Sequence, residues 1–213
     1  MSTNGTKPSS VITAESSVVS TINLQRIERE IMRVQLTGTA PLIVHRFDEK
    51  AKQMMLEAQQ SKTRAKKEAK DPVAQFEASR YLLPDGRDGF PAVGFKAAIV
   101  GAARLFDGIT MVQVKQLIRV LGEGPNQYVP LEADEPSMRE DTVRVGQGTA
   151  DLRYRAQYHP WSVTLLIEYV PSQISMESVA ALVDAGGIGG VGEWRPSAPK
   201  GATGSYGTWE VTR

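Results

Sequence analysis

Apolar and polar residues alternate along several stretches of the chain, as they do in half-buried β-strands. The clearest early stretch is Ile31-Met-Arg-Val-Gln-Leu-Thr, which Gly38 interrupts, and an extended run follows at residues 41–47. Further strand-like stretches lie at residues 128–131, 142–145, 161–169 and 208–212. The pattern therefore predicts a sheet with one buried and one exposed face.

Helical patterns fill other parts of the chain. Residues 92–106 are rich in alanine and place their large apolar side chains on one face, so they predict a helix that ends before Gly108. Ser175 is suited to cap a second helix at residues 176–184, with Gly186 and Gly187 as its stop. Residues 111–121 fit either a helix or a strand.

A third helical region, at residues 47–70, contains no glycine or proline and few apolar residues. Because it has little to bury, we expect it to project as a basic arm, within an insertion of about residues 47–80. Residues 1–25 are expected to form a disordered tail, since their first part is rich in serine and threonine. The order of elements predicts a single α+β domain at 26–213, with a mainly antiparallel sheet and an RRM-like, or ferredoxin-like, core.

The composition excludes several classes of function. The chain of 213 residues has no cysteine, which rules out disulfide scaffolds, thiolate metal sites and cysteine nucleophiles, and fits a reducing cytoplasm. Two histidines are too few for an imidazole metal site, so no metal or cofactor is expected. No apolar run approaches the ~18 residues that span a bilayer, and the N-terminal stretch lacks a signal-like apolar core. The sequence thus predicts a cytoplasmic protein without a membrane partner.

Charge is segregated along the chain, although the net charge is only +1. Residues 50–70 carry seven basic and two acidic side chains, whereas residues 123–141 carry six acidic and one basic. Local field, more than net charge, steers a charged ligand. The segregation is compatible with binding of a polyanion, and also with head-to-tail packing of identical subunits.

Three short sequence patterns follow one another along the chain. They are the turn Gly38-Thr-Ala-Pro-Leu42, the helix entry Phe90-Pro-Ala-Val-Gly-Phe-Lys96-Ala-Ala, and the late segment Gly189-Gly-Val-Gly-Glu-Trp-Arg-Pro with Gly204-Ser-Tyr-Gly-Thr-Trp. Together, over roughly residues 31–211, they resemble the RAMP superfamily, and within it the repeated backbone subunits of CRISPR effector complexes. Similar folds also occur in viral and mobile-element proteins.

The resemblance implies an RRM-like sheet, a first core helix opened by the Pro-Lys segment, a Gly-rich loop near the RNA backbone, and a flexible insertion. Two features depart from the family pattern. Ala97-Ala98 stands where the family often has Gly-Ala or Gly-Thr, and no aromatic RNP-type motif is present, so base stacking on the open sheet face is not implied.

The Gly-rich segment formally contains G-x-G-x-x-G at Gly187, Gly189 and Gly192. A dinucleotide site needs that motif between a strand and a following helix, and here a helix precedes it and none follows, so that interpretation fails. Two alternatives remain: a plain flexible loop, or backbone N–H groups that cradle a phosphate. In the phosphate-cradling alternative, Gly190 is one of the contacting glycines, and Arg195 and Lys200 supply positive charge.

Other candidates for nucleic-acid contact are scattered along the chain. Lys96 opens a helix where the macrodipole disfavours a cation, and it would share a helical face with Arg104. Trp194, beside Gly and Arg, is the tryptophan suited to stacking, whereas Trp161 and Trp209 are expected in the core. The remaining candidates are the strand-end pair His45 and Arg46, the cationic row Arg144, Arg153 and Arg155, and the arm residues Lys62, Arg64, Lys66 and Lys67. For Lys96 and the arm residues the alternative is a solvated surface charge, and for His45 and Arg46 it is a polar strand end. For the arginine row it is the protection of an edge strand by charge, and for Trp194 it is burial in the core.

These observations favour a non-enzymatic protein that binds single-stranded RNA or DNA with little sequence preference. It would coat the strand as a repeated subunit, self-associating head-to-tail into a filament or ring. One alternative is a structural assembly protein of a virus or mobile element without nucleic acid. A weaker one is a metal-independent ribonuclease using His45 or Asp48, for which no catalytic partner occurs at a fixed spacing. No residue pattern distinguishes RNA from DNA.

Overall fold

The computed structural model describes residues 22–47, 71–145, 149–199 and 204–212. Most of the predicted tail, the arm at residues 48–70 and Lys200 lie outside these ranges. In the described part the chain is α+β, and every strand pair is antiparallel, as predicted.

Four α-helices and eleven strands occur in the described ranges. The helices are α1 Pro72–Ser79, α2 Ala92–Ala102, α3 Met111–Leu117 and α4 Met176–Gly189, and a 3-10 turn, Ala103–Leu105, extends α2. The strands are β1 Glu30–Gly38, β2 Leu42–Val44, β3 Tyr81–Leu82, β4 Asp88–Pro91, β5 Ile118–Leu121, β6 Tyr128–Pro130, β7 Glu132–Ala133, β8 Ser137–Val145, β9 Thr149–Tyr158, β10 Trp161–Tyr169 and β11 Trp209–Val211.

The largest sheet has the order β11-β1-β10-β5, with β7 added at one end of β10. β1 and β10 pair from Glu30 opposite Tyr169 to Thr37 opposite Ser162. Alternate residues of β10 are buried, as the sequence pattern predicted. They share one core with the apolar faces of α2 and α4, which include Phe95, Ile99 and Val183. The helices thus cover one face of this sheet.

Residues 111–121, which fit either a helix or a strand by pattern, form both. Thr110 caps α3 with a capping box to Gln113, which satisfies two free backbone N–H groups at the helix start. From Ile118 the backbone is extended and β5 begins. Trp161 and Trp209 are buried in the core, as expected; their indole N–H groups donate to the carbonyls of Ala40 and Val183, at 2.8 and 3.1 Å.

The predicted stop of α4 at Gly186 and Gly187 is wrong, because the helix continues to Gly189 and ends at Gly190, whose φ is +64°. The two glycines allow close packing instead. A Cβ on Gly186 would lie 3.3 Å from the backbone of Ile99 in α2, and one on Gly187 would collide with the carbonyl of Trp209 in β11. Gly187 and Gly189 are therefore helical residues and not part of a phosphate-cradling loop.

Two three-stranded sheets, β2-β9-β8 and β3-β4-β6, complete the described part. Asp88 links them: it accepts two hydrogen bonds from Arg80, at 3.0 and 2.7 Å, and one from the hydroxyl of Tyr158, at 2.6 Å. Burial and the nearby carboxylate raise the pKa of Tyr158. This cluster holds the β3–β4 hairpin and α1 against β9.

Candidate nucleic-acid interface

A groove of about 660 Å³ lies between α2, the end of α4 and the segment that follows α4. Its floor is a row of small residues on α2: Gly94, Ala97, Ala98 and Gly101. Residues 189–197 form the opposite wall. His45, Tyr81 and Phe90 line it near the start of α2, and Arg104, Leu105 and Met111 line it near the end of that helix.

Several residues predicted separately from the sequence come together here. His45 follows β2, Arg104 lies in the 3-10 turn, and Arg195 lies in the segment after α4, yet all three line the same groove. Gly189, Gly190 and Gly192 line it as well. The tertiary structure thus joins three of the predicted nucleic-acid contacts into one surface.

The segment after α4 is held in place by backbone hydrogen bonds. The amide of Val191 donates to Gly207 at 3.0 Å, that of Glu193 to Ile43 at 2.9 Å, and that of Gly207 to Pro41 at 2.8 Å. Gly192 and Gly207 have φ values of +77° and +65°, which glycine adopts without strain. These hydrogen bonds give the segment a defined conformation, so it forms a wall of the groove and is not a plain flexible loop.

Donor groups remain on this wall. Within the described ranges, the amides of Gly192, Trp194 and Arg195 donate no hydrogen bond to the chain. The guanidinium of Arg195 donates one bond, from Nη1 to the carbonyl of Gly192 at 2.7 Å, which fixes its position and leaves other N–H groups of its five free for an anion. Fixed cations next to backbone amides suit phosphate oxygens.

Arg155, a predicted phosphate contact, is only 2% exposed and ion-paired, so its charge is engaged within the chain. Its Nη1 lies 3.0 Å from Asp141 and its Nη2 lies 3.4 Å from Glu193. Asp141 also accepts from Arg139 at 2.8 Å, and Arg139 in turn donates to Tyr206 at 3.2 Å. Arg155 ties the β8–β9 hairpin to the wall of the groove, and it also compensates the Glu193 carboxylate there.

Lys96, another predicted phosphate contact, lies apart from these residues. It does not line the groove, and burial, with the charges of Lys115 and Arg119, lowers its pKa. The predicted face shared by Lys96 and Arg104 assumed a continuous helix over 92–106, whereas α2 ends at Ala102 and Arg104 lies in the 3-10 turn that follows. Lys96 thus belongs to a separate basic cluster.

The other predicted residues divide into three groups. Arg46 and Arg153 are half-buried near the groove, since Arg46 acts on the pKa of Tyr81 and Arg153 on that of His45. Trp194 has a φ of +56°, and its buried Nε1 has no partner in the described ranges. The structure does not describe Lys62, Arg64, Lys66, Lys67, Lys200 and the side chain of Arg144.

The acidic stretch at residues 123–141 is partly neutralised within the chain, because Glu123 forms a salt bridge with Arg87 at 2.8 Å.

The sequence analysis missed the floor of the groove and its aromatic residues. Gly94, Ala97, Ala98 and Gly101 recur at helical spacing, so this row was visible in the sequence as a face too small to fill a core. Tyr81 and Phe90 gave no such signal, because the β3–β4 hairpin brings them together, with their rings 5.8 Å apart and nearly perpendicular.

His45 is the titratable group of the groove whose pKa is lowered. Burial lowers it first and the Arg155 charge second, while Glu193 raises it and Arg153 lowers it. Its Nδ1 is buried, with no partner in the described ranges. At neutral pH the imidazole is therefore uncharged. In the part of the chain that the structure describes, no three acidic or histidine side chains cluster closely enough to hold a metal ion.

A pH titration of stability follows from this lowered pKa. In the unfolded chain His45 binds a proton at a higher pH than in the fold, so the free energy of unfolding is expected to decrease as pH falls from 7.5 towards 5.5. His45→Gln is expected to lose less stability over this range than the wild type, as measured by urea unfolding. His159→Gln, at the exposed second histidine, is the matched control. An unchanged pH slope in His45→Gln would contradict the assignment.

No family model and no curated protein matches the sequence. Solved structures with a similar fold include the following two. "Cryo-EM structure of the Type III-B Cmr-beta bound to cognate target RNA" has a TM-score of 0.47 and 11% identity, over 87% of this chain and 59% of that chain. "Crystal structure of Cmr6 from Pyrococcus furiosus" has a TM-score of 0.40 and 8% identity, over 88% of this chain and 100% of that chain.

Both titles name Cmr proteins, and the first also names a bound target RNA. With TM-scores this low, the function proposed for this chain rests on its groove and not on the likeness. No described helix has the length and apolar character needed to cross a bilayer.

Proposed function

We propose that this protein binds single-stranded nucleic acid, RNA or DNA, through the sugar-phosphate backbone and with little sequence preference. The observation that carries the proposal is the convergence of Arg104, Arg195 and His45 on one groove. A groove with cations fixed at its edges tracks a strand by its phosphates, which are the same for every sequence.

The charges of the groove favour an anion. Within the described ranges neither Arg104 nor Arg195 forms a salt bridge, so both guanidinium groups remain available. The acidic residue of the groove, Glu193, is compensated by the buried Arg155 behind it. Arg195 is also anchored to the carbonyl of Gly192, so less side-chain entropy is lost when it binds a phosphate.

An RRM-like core is part of this proposal. Six elements follow in the chain order β1, α2, β5, β10, α4, β11, and four of them form a sheet in the order β11-β1-β10-β5. This order of elements supports a ferredoxin-like βαββαβ unit. On this frame the groove lies on the helical side, between α2 and α4, and not on the open face of the sheet.

We further propose that the protein is a non-enzymatic cytoplasmic subunit that coats a strand in several copies. The basic arm predicted at residues 47–70, within the insertion of about 47–80, would extend the cationic surface towards the strand or a neighbouring copy. His45 has a buried Nδ1 and no partner base in the described ranges, which does not favour the ribonuclease alternative.

Binding to oligonucleotides of matched length tests this function. We expect the affinity for a 30-nucleotide single strand of mixed sequence to fall steeply between 50 and 200 mM salt, since each phosphate contact releases counterions. A backbone analogue without charge is the control and should bind at least ~100-fold more weakly. Equal binding of the charged and uncharged strands would contradict the proposal and favour an assembly protein.

The same strands test coating. Mass measurement of complexes on strands of increasing length should show the number of bound subunits rising in steps, because a heterologous contact between copies propagates along the strand. A constant count of one or two on every length would leave a single binding module.

A further inference from the structure

We propose that the groove receives an unstacked nucleobase of the bound strand, so that the protein contacts bases as well as phosphates. The inference rests on the proposed function and specifies what occupies its site. The strand would pass Arg104 and Arg195 with its phosphates outward while one base turns in between α2 and the wall at residues 189–197.

The floor of the groove suits a flat ring. Gly94, Ala97, Ala98 and Gly101 present at most a methyl group each, so the surface of α2 is shallow and apolar along two turns. Around Gly101 the space is open, since a Cβ added there would have no atom within 4 Å. The cavity of about 660 Å³ lies in the size range of small-ligand sites and exceeds what a phosphate alone would fill.

Aromatic side chains line the groove near the start of α2. Tyr81 is half-buried and in edge-to-face contact with Phe90, which is buried and packs against Gly94. The Tyr81 hydroxyl donates to the backbone carbonyl of His45 at 3.2 Å, which fixes the position of the phenol. A base that stacks on a ring such as that of Tyr81 gains about 1–3 kcal/mol, whatever the base.

The polar groups of the groove also favour a base there over a phosphate. His45 is half-buried and its pKa is lowered, so the imidazole is neutral and offers hydrogen bonding without charge. The guanidinium groups of Arg104 and Arg195, in contrast, belong to residues outside this apolar floor, in the 3-10 turn after α2 and in the opposite wall. A nucleotide has the same division, with a charged phosphate and a neutral aromatic base.

Gly101→Phe would fill the groove from its floor. Because Gly101 faces open space in a helix, the larger side chain should be accepted without loss of the fold, which circular dichroism and the melting temperature would verify. Val93→Phe, at an exposed position of the same helix outside the groove, is the matched control. Each protein is titrated with a 30-nucleotide strand and with an abasic strand of the same length and charge.

For the wild type and Val93→Phe, we expect the normal strand to bind about 10-fold more tightly than the abasic one, as one stacked base would give. Gly101→Phe should bind both strands alike, at the abasic level. If the wild type binds the two strands equally, or if Gly101→Phe keeps the difference, the base pocket is wrong while backbone binding stands. If neither strand binds the wild type, the proposed function itself fails.

Discussion

Replacing Gly187 by alanine is expected to lower the free energy of unfolding by about 2 kcal/mol, although alanine is the better helix former. The added methyl group would collide with the carbonyl of Trp209, so α4 and β11 would have to separate. Both are parts of the main core, and the Trp209 indole donates to Val183 of α4. Because the collision is with backbone atoms, the overpacking cost lies at the upper end of about 1–3 kcal/mol, and the ~1 kcal/mol gain in helix propensity leaves a net loss of about 2 kcal/mol.

Gly101→Ala is the matched control, because Gly101 is also a helical glycine but faces open space. This substitution is expected to raise the free energy of unfolding by about 0.5–1 kcal/mol. Denaturant unfolding of the two variants side by side measures the difference. If both glycines gave the same gain with alanine, the close packing of α4 on β11 would be wrong.

The double variant Arg104→Ala, Arg195→Ala is expected to bind a single strand about 100-fold more weakly than the wild type. Each arginine would contribute a charge-assisted contact of about 1.5 kcal/mol, which is roughly 10-fold in affinity. The salt dependence should become shallower by about two phosphate contacts. Thermal stability should change little, since Arg104 is exposed and Arg195 loses one hydrogen bond to Gly192.

The double variant Arg29→Ala, Arg87→Ala removes the same charge from exposed positions outside the groove. It is expected to weaken binding only by the small long-range effect of net charge. A similar loss in both double variants would place the strand elsewhere on the surface. A large drop in melting temperature for Arg195→Ala alone would mean that this residue mainly supports the wall of the groove.

Local pattern determined much of the fold. β10 occupies Trp161–Tyr169 as the alternation predicted, and α2 begins at Ala92 after the Phe-Pro entry. These elements follow from the spacing of apolar residues, because each spacing buries one face of a strand or helix. Residues 111–121, which fit either a helix or a strand by pattern, form both. A capping box at Thr110 starts α3, and the extended backbone from Ile118 starts β5.

Contacts between distant residues decided what the pattern left open. Gly186 and Gly187 resemble a helix stop, but the packing partners that make glycine necessary there are Ile99 and Trp209, which the local sequence does not reveal. Arg155 resembles a surface cation of an exposed strand, yet Asp141 and Glu193 bury and neutralise it.

Local pattern thus predicts many of the helices and strands and shows which residue types are available for chemistry. It does not reveal that His45, Arg104 and Arg195 line one groove with a floor of glycine and alanine, which follows from the folded chain. Helix and strand periodicity is set by neighbours a few residues away, whereas a groove is formed by side chains from separate parts of the chain.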